Sequence, residues 1–349
     1  MANAELMKRL KAASTIDETS VLRDSFVFEQ HELISTPVPM LNVALSGALD
    51  GGFASGLTMF AGESKRFKTL FVLMCAASYL KKFPDAILLF YDSEFGTPQA
   101  YFESLGISLD RVIHTPITTV EQLRSDIANQ LKSLKRGDKV FIAIDSIGNL
   151  ASSKEVNDAL EEKTVADMTR AKQIKSLFRI VTPQLTLKDV PCFVVNHTYK
   201  TQEMYSKDVV SGGTGVYYSS GNIFIIGRQQ EKDDEGLSGF NFIINVEKSR
   251  FVREKSKIPV SVSFEEGVQR NSGLVDLAFE LNWIAKPKMG WYAFVNRKTG
   301  EVEDKLFRKA EGNKPEFANR LLEDVDFQEA VKDKFQIART ALFKNEEES

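Results

Sequence analysis

Between two apolar runs, Leu57-Thr58-Met59-Phe60 and Leu70-Phe71-Val72-Leu73-Met74-Cys75-Ala76-Ala77, lies the segment Ala61-Gly62-Glu63-Ser64-Lys65-Arg66-Phe67-Lys68-Thr69. A glycine-led turn that ends in lysine and threonine, set between a strand and a helix, can cradle a polyphosphate. Backbone N–H groups and the positive end of the helix would hold the phosphates, Lys68 would reach the β and γ oxygens, and the Thr69 hydroxyl would ligate Mg²⁺. Gly62, Glu63, Ser64, Lys65, Arg66, Phe67, Lys68, Thr69 and Leu70 are therefore candidate nucleotide contacts. One letter departs from the pattern G-x-x-x-x-G-K-[ST], because Phe67 stands at its second glycine. In this segment alone, a lysine and a threonine opening a helix after a turn would read the same.

Two acids can complete such chemistry. The run Phe90-Tyr91-Asp92-Ser93-Glu94 delivers Glu94 just past an apolar strand, where a carboxylate can activate water. The run Val140-Phe141-Ile142-Ala143-Ile144 leads into Asp145-Ser146, a Walker B pattern whose acid orders Mg²⁺. Thr69 and Asp145 are the candidate metal residues. Either acid alone also reads as a turn or an N-cap. Three strand ends that supply, in order, a phosphate loop, a base and a metal acid form a set that chance seldom assembles.

The elements that must position these groups alternate in the way of an α/β domain with a mainly parallel central sheet. Buried strands are expected at 57–61, 86–91, 112–115, 139–144 and 192–196, each a continuous apolar run that fits burial on both faces. Further runs at 222–226, 240–246 and 258–264 follow without long helices between them and suggest an antiparallel extension. A helix is expected from about residue 165, with Ala171, Ile174, Phe178 and Val181 on its apolar face and Lys172, Lys175 and Arg179 in a row beside it. Residues 1–30 read as a helical arm in which Leu6, Leu10 and Ala13 share one face, and 273–349 as a small C-terminal domain with an acidic end. The core is then 31–272.

Ile34-Ser35-Thr36-Pro37, Gly62 to Thr69, Asp92-Ser93-Glu94-Phe95-Gly96, Ile144-Asp145-Ser146 and Asn196-His197 stand in the order and spacing of a known family. Longer matches lie at Asp167-Met168-Thr169-Arg170-Ala171-Lys172, Ser176-Leu177-Phe178-Arg179-Ile180-Val181-Thr182-Pro183 and Val246-Glu247-Lys248-Ser249-Arg250. Over about residues 30–290 the chain resembles the RecA-type recombinases and, among them, the UvsX-type phage branch, which also carries a phenylalanine before the loop lysine.

The resemblance implies a RecA-like P-loop ATPase core using ATP and Mg²⁺. It implies that Glu94 is the catalytic carboxylate, that Tyr101 stacks on adenine, and that His197 senses the γ-phosphate. Lys248 and Arg250 resemble two cations projected across a filament interface onto the neighbour's ATP, which is arginine-finger logic. Residues 151–164 and 198–215 match the family's two DNA-binding loops. The second contains Tyr199, Lys200, Met204, Tyr205 and Lys207 and closes on Gly212-Gly213, and aromatic side chains there can stack on bases. Read without the family, these are an amphipathic-helix aromatic, a structural histidine, two solvated cations and a mobile polar loop. Implied partners are single-stranded and duplex DNA, further copies of the chain in a helical filament, a single-strand-binding protein and a recombination mediator. Lys286, Lys288, Trp291, Tyr292 and Lys305 read either as a duplex-capturing surface or as a small local core.

Composition narrows the classes. With 45 Lys plus Arg against 48 Asp plus Glu the net charge is −3, so nucleic-acid binding has to be local rather than global. The two cysteines, Cys75 and Cys192, sit in apolar runs and read as reduced buried thiols. No segment approaches the ~18 apolar residues of a membrane span, and the N-terminus carries no apolar signal core, so the host-cell cytoplasm is the expected compartment. A hexameric RecA-fold DNA helicase is the alternative. It would be expected to keep the loop glycine and to carry a substantial N-terminal domain, whereas about 30 residues precede this core.

Overall fold

The computed structural model describes residues 3–28, 32–161, 169–201, 208–233 and 236–337. Two compact units divide the chain, Met1–Glu32 and Leu33–Ser349. The first holds α1, Ala4–Ala13, started by the Asn3 side chain accepting from the Leu6 N–H at 3.0 Å. Leu6, Met7 and Leu10 on α1 are exposed.

The second unit is built on one sheet whose strands are β1 Gly56–Ala61, β2 Ile87–Asp92, β3 Val112–Pro116, β4 Val140–Asp145 and β5 Pro191–Asn196. A short ribbon, β6 Thr198–Lys200 and β7 Asp208–Val210, stands apart, and the sheet resumes with β8 Asn222–Asp233, β9 Gly236–Lys248, β10 Lys257–Ser263 and β11 Gly267–Val268. Among the described residues the strand order is β11-β10-β9-β8-β1-β5-β4-β2-β3. A further hairpin pairs β12 Ile284–Lys288 with β13 Trp291–Phe294.

The run at 222–226 opens the expected antiparallel extension by pairing antiparallel with β9, but its other side was not foreseen. There β8 lies parallel to β1, with Thr58 opposite Asn222, so β8 joins the parallel strands to an antiparallel meander of β8, β9, β10 and β11. The reason is the connection: between β5 and β8 the chain passes through a short helix, Thr214–Ser219, and re-enters the sheet from the same end.

The helices of this unit are α2 Pro39–Ser46, α3 Lys68–Lys82, α4 Gln99–Ser104, α5 Val120–Ser133, α6 Ser153–Leu160, α7 Thr169–Lys188, α8 Thr214–Ser219, α9 Leu274–Glu280, α10 Lys309–Gly312, α11 Pro315–Leu322 and α12 Val325–Phe335. One face of the sheet packs against α2, α3 and α9 through a phenylalanine-rich core in which Phe53, Phe60, Phe71, Phe141, Phe193 and Phe224 meet edge-on, tilted or, for Phe141 and Phe193, stacked. The other face packs against α5 and α7. Ile174, Leu177, Phe178, Val181 and Leu185 of α7 are buried there, while Lys172, Lys175 and Arg179 stay exposed. Residues 153–160, expected within a loop, are helical. Ser152 and Glu155 form a reciprocal capping box, a signal the sequence carried at S-x-x-E.

Beyond Gly273, Trp283 packs on Phe327 and its Nε1 donates to Asp324 Oδ2 at 3.0 Å, while Gln336 Nε2 donates to the Ser46 carbonyl of α2 at 2.8 Å. Cys75 and Cys192 are buried free thiols, and burial pushes both up. No helix among the described residues is long and apolar enough to cross a membrane.

Register decides where chemistry can occur. Asp92 of β2 lies opposite Asp145 of β4, and Ala61 of β1 opposite Asn196 of β5. The carboxyl ends of four strands are thus level, and the residues just past them share one edge.

Candidate functional site

The loop from Gly62 to Thr69 leaves β1 and enters α3. Gly62 has φ of +151°, and a Cβ there would sit 2.9 Å from the Ile226 carbonyl oxygen of β8, so glycine is required by both backbone and space. Lys65 and Phe67 are left-handed at φ of 59° and 64°. The second glycine of the motif answers that left-handed geometry, and here a phenylalanine adopts it as the N-cap of α3. Its ring stacks on Phe242 at 4.9 Å and meets Phe71 edge-on at 5.4 Å, joining the rim of the phenylalanine core. Arg66 pairs with Glu63 inside the loop, holding the Glu63 carboxyl below its usual range, and also donates to the Arg228 carbonyl at 3.4 Å. The ammonium of buried Lys68 donates to the Glu63 carbonyl at 2.7 Å and so closes the arch.

Across the loop, Thr69 Oγ1 donates to Asp145 Oδ2 at 2.9 Å, while Asp145 Oδ1 is buried with no protein partner. An orphaned carboxylate oxygen beside a threonine hydroxyl suits a small divalent cation that takes its remaining ligands from phosphate and water. Asp145 and Thr69 would hold it, and the cation would supply charge to offset the phosphate oxygens. Burial, with Glu94 and Asp92 nearby, pushes the Asp145 carboxyl up to about 6.

That shift has a measurable sign. An acid raised from about 3.9 favours the protonated fold, so its ionisation lowers stability as pH rises from about 4 to 6 and the deficit persists above. Asp145→Asn, which still accepts from Thr69, should therefore stabilise the nucleotide- and magnesium-free chain by about 3 kcal/mol at pH 7.5. The gain should vanish below pH ~4. Urea unfolding at the two pH values checks it, and a pH-independent difference would refute the buried-charge account.

Glu94 follows a turn that Asp92 organises, its Oδ1 accepting from the N–H groups of Glu94 at 3.0 Å and Phe95 at 2.8 Å. The turn aims Glu94 at the ends of β4 and β5. Ser146 Oγ donates to Glu94 Oε1 at 2.8 Å, and His197 Nε2 lies 3.0 Å from the same oxygen. The hydrogen bond to His197, helped by Ser146 and Lys68, holds the Glu94 carboxyl below its usual range against the opposing effect of burial. A carboxylate in that state is ionised but a weak base, and it gains basicity when His197 moves away.

A cavity of about 480 Å³ opens beside the loop, lined by residues 64–70, Glu94, Tyr101 and His197. Sequence reasoning missed its far wall, formed by Arg228, Phe240, Phe242, Val262 and Phe264 of β8, β9 and the end of β10. Arg228 lies over the Phe240 ring at 4.5 Å. Tyr101 on α4 is exposed.

His197 is held from behind. The side chain of buried Asn196 accepts from the His197 N–H at 2.8 Å and donates to the Ser211 carbonyl at 2.8 Å. The second loop therefore starts and ends on one asparagine and rises as the β6–β7 ribbon. Tyr199 on the ribbon is exposed, and Lys200 pairs with Asp208 at 3.3 Å. Gly212 and Gly213, at φ of +97° and +76°, return the chain into α8. Met204, Tyr205 and Lys207 lie outside the described residues.

Lys248 ends β9, and exposed Arg250 lies beyond the strand. The Lys248 ammonium donates to the Tyr217 and Ser220 carbonyls at 2.7 and 2.9 Å, capping the C-terminus of α8. Burial holds it below the usual lysine range.

Comparison with known proteins agrees with this arrangement. A profile described as the RecA N-terminal domain matches residues 17–269, and one described as the C-terminal domain of the bacteriophage T4 recombination and repair protein matches residues 271–331. The recombination and repair protein of Enterobacteria phage T4 is 50% identical over 338 residues, covering 96% of this chain and 86% of that protein. RecA of Bacteroides thetaiotaomicron is 27% identical over 331 residues, 92% of this chain and 97% of that one, and RecA of Acholeplasma laidlawii 26% over 290 residues. None of these is a helicase. Similarity that runs nearly end to end, over a sheet that sets its reactive side chains along one edge, makes the chain a member of the RecA family of recombinases.

Proposed function

We propose that this chain polymerises on single-stranded DNA and uses ATP to drive homologous pairing and strand exchange. Membership of the RecA family supports a DNA-dependent ATPase in general terms. The observation that carries the finer reading is the contact between Glu94 and His197, because it joins the group beside the phosphate loop to the first residue past β5, where the second loop begins.

In this reading the loop and α3 bind the triphosphate, Lys68 meets its outer oxygens, and Tyr101 stacks on the base. ATP lies at a subunit boundary. Arg250, and Lys248 once it leaves α8, reach the neighbour's nucleotide and tie two subunits together, while α1 with its exposed Leu6, Met7 and Leu10 acts as a polymerisation arm. When the γ-phosphate engages His197, the ring leaves Glu94 and its backbone orders the ribbon for DNA. Glu94 then takes a proton from the attacking water, and loss of the γ-phosphate reverses the sequence and releases DNA.

A strand-exchange assay with circular single strands and linear duplex tests the activity: joint molecules requiring homology and ATP are expected, and unwinding without pairing would refute the proposal. Mixing Arg250→Ala and Glu94→Gln chains probes the boundary. Hydrolysis should reappear in the mixture, since a share of interfaces then carries both intact groups, and a mixture as inactive as its parts would remove the in-trans role.

A further inference from the structure

The turn 146–151, which leaves β4 and leads into α6, is braced on every side. The Ile147 N–H donates to the Val195 carbonyl at 3.1 Å and the Val120 N–H to the Ala151 carbonyl at 3.0 Å. Arg170 of α7 reaches in with Nε on the Leu150 carbonyl at 2.6 Å and Nη2 on the Ile147 and Gly148 carbonyls at 2.8 and 2.9 Å. Ile147 and Leu150 are each only 1% exposed. The fork thus converts a short loop into a rigid seat.

What rests on that seat is the His197 ring. A Cβ at Gly148 would lie 2.1 Å from its Cδ2, 2.9 Å from Cγ and 3.1 Å from Nε2, the nitrogen that faces Glu94. Real side chains do not tolerate such distances, so one partner has to move. The backbone of the turn takes part in seven hydrogen bonds, two of them to Ser93 Oγ, and carries two buried anchors. His197 is fixed through its backbone, while its side chain is 30% exposed and is held at its tip by the contact with Glu94, itself a side chain. The ring is the partner that gives way.

We propose that Gly148 and Arg170 are positioning residues for hydrolysis: the Arg170-braced turn at the root of the first DNA loop sets the seat of His197 and, through it, the His197–Glu94 contact. A strand that shifts 151–161 is then felt at Glu94 through this turn, independently of the ribbon that carries Tyr199. The proposal rests on the reading of Glu94 as the base and His197 as its relay.

In the full chain, Gly148→Ala should keep the affinity for a fluorescent ATP analogue within about twofold and lower DNA-stimulated turnover about tenfold, the size of a lost coupling. The His197 imidazole resonances should move from their parent positions. In a His197→Ala background the added methyl meets neither Cγ nor ring, so Gly148→Ala should cost nothing further. A merely structural glycine would lower turnover by the same factor in both backgrounds, and unmoved imidazole resonances would likewise overturn the proposal. Arg170→Lys keeps the charge, loses the fork and should displace the ring in the same direction; parent-like resonances and turnover would remove the brace. The two levels of failure separate cleanly. Undiminished turnover by Glu94→Gln would defeat the reading of the base, whereas additivity of Gly148→Ala and His197→Ala with an inactive Glu94→Gln would defeat this inference alone.

Discussion

Glu94→Gln should lower ATP turnover by about 10²- to 10⁴-fold while ATP and DNA binding stay within a few fold of the parent. Glutamine keeps the shape and an oxygen that can accept from Ser146 Oγ, which lies 2.8 Å from Glu94 Oε1, so the turn after β2 is preserved. It cannot take a proton from water. The substitution also removes a negative charge from a cluster that contains Asp145 and Asp92, which eases the approach of a triphosphate rather than hindering it. Binding measured with a fluorescent analogue and turnover measured by phosphate release therefore move apart. Because His197 holds the Glu94 carboxyl low in the free chain, the same contact explains why hydrolysis without DNA should be slow. Turnover that survives Glu94→Gln would take this carboxylate out of the mechanism.

Much of this site was legible because the fold buries its central strands on both faces. Such strands read as unbroken apolar runs, and the first polar residue after each run marks the carboxyl edge. Asp145, Glu94 and the Gly62–Thr69 loop were found that way; four of the five runs expected as buried strands lie inside the sheet, whereas β3, expected to be buried on both faces, is its edge strand with Ile113 and His114 exposed. Direction was harder. A run such as 222–226 looks the same whether it enters the sheet parallel or antiparallel, and only the crossover through α8 decides.

Contacts between distant residues left no local signal at all. Arg228 reaches the Lys65 carbonyl at 3.3 Å, and Phe242 stacks on Phe67, across more than half the domain's length of chain. Ser146 was given no role of its own and Gly148 was unremarked for the same reason, since their meaning comes from Glu94 and His197, which approach only after the strands align. Lys248 was read for its charge, whereas the fold first uses it as a helix cap.

Phe67 poses the sharpest question about this loop, and restoring the glycine of the motif should not improve the protein. The left-handed backbone at φ of 64° costs a phenylalanine about 1 kcal/mol relative to glycine. Against this stand the stacked contact with Phe242 and the edge contact with Phe71, each worth about 1 kcal/mol beyond the area that the half-buried ring removes from water. The packing wins. Phe67→Gly should destabilise the chain by about 1 kcal/mol, and Phe67→Ala by about 2, because alanine loses the ring and keeps the backbone strain. Glycine outperforming alanine at the N-cap of α3, with the parent above both, is the signature that separates packing from backbone conformation in urea unfolding. Phe67 also lines the nucleotide-sized cavity and anchors the arch that Lys68 closes, so its removal frees a segment that ATP would then have to order. ATP binding by Phe67→Gly should weaken about three- to tenfold through that lost preorganisation. A glycine variant that is more stable than the parent, or that binds ATP more tightly, would mean that the ring is strain the fold tolerates rather than the packing that holds the loop in place.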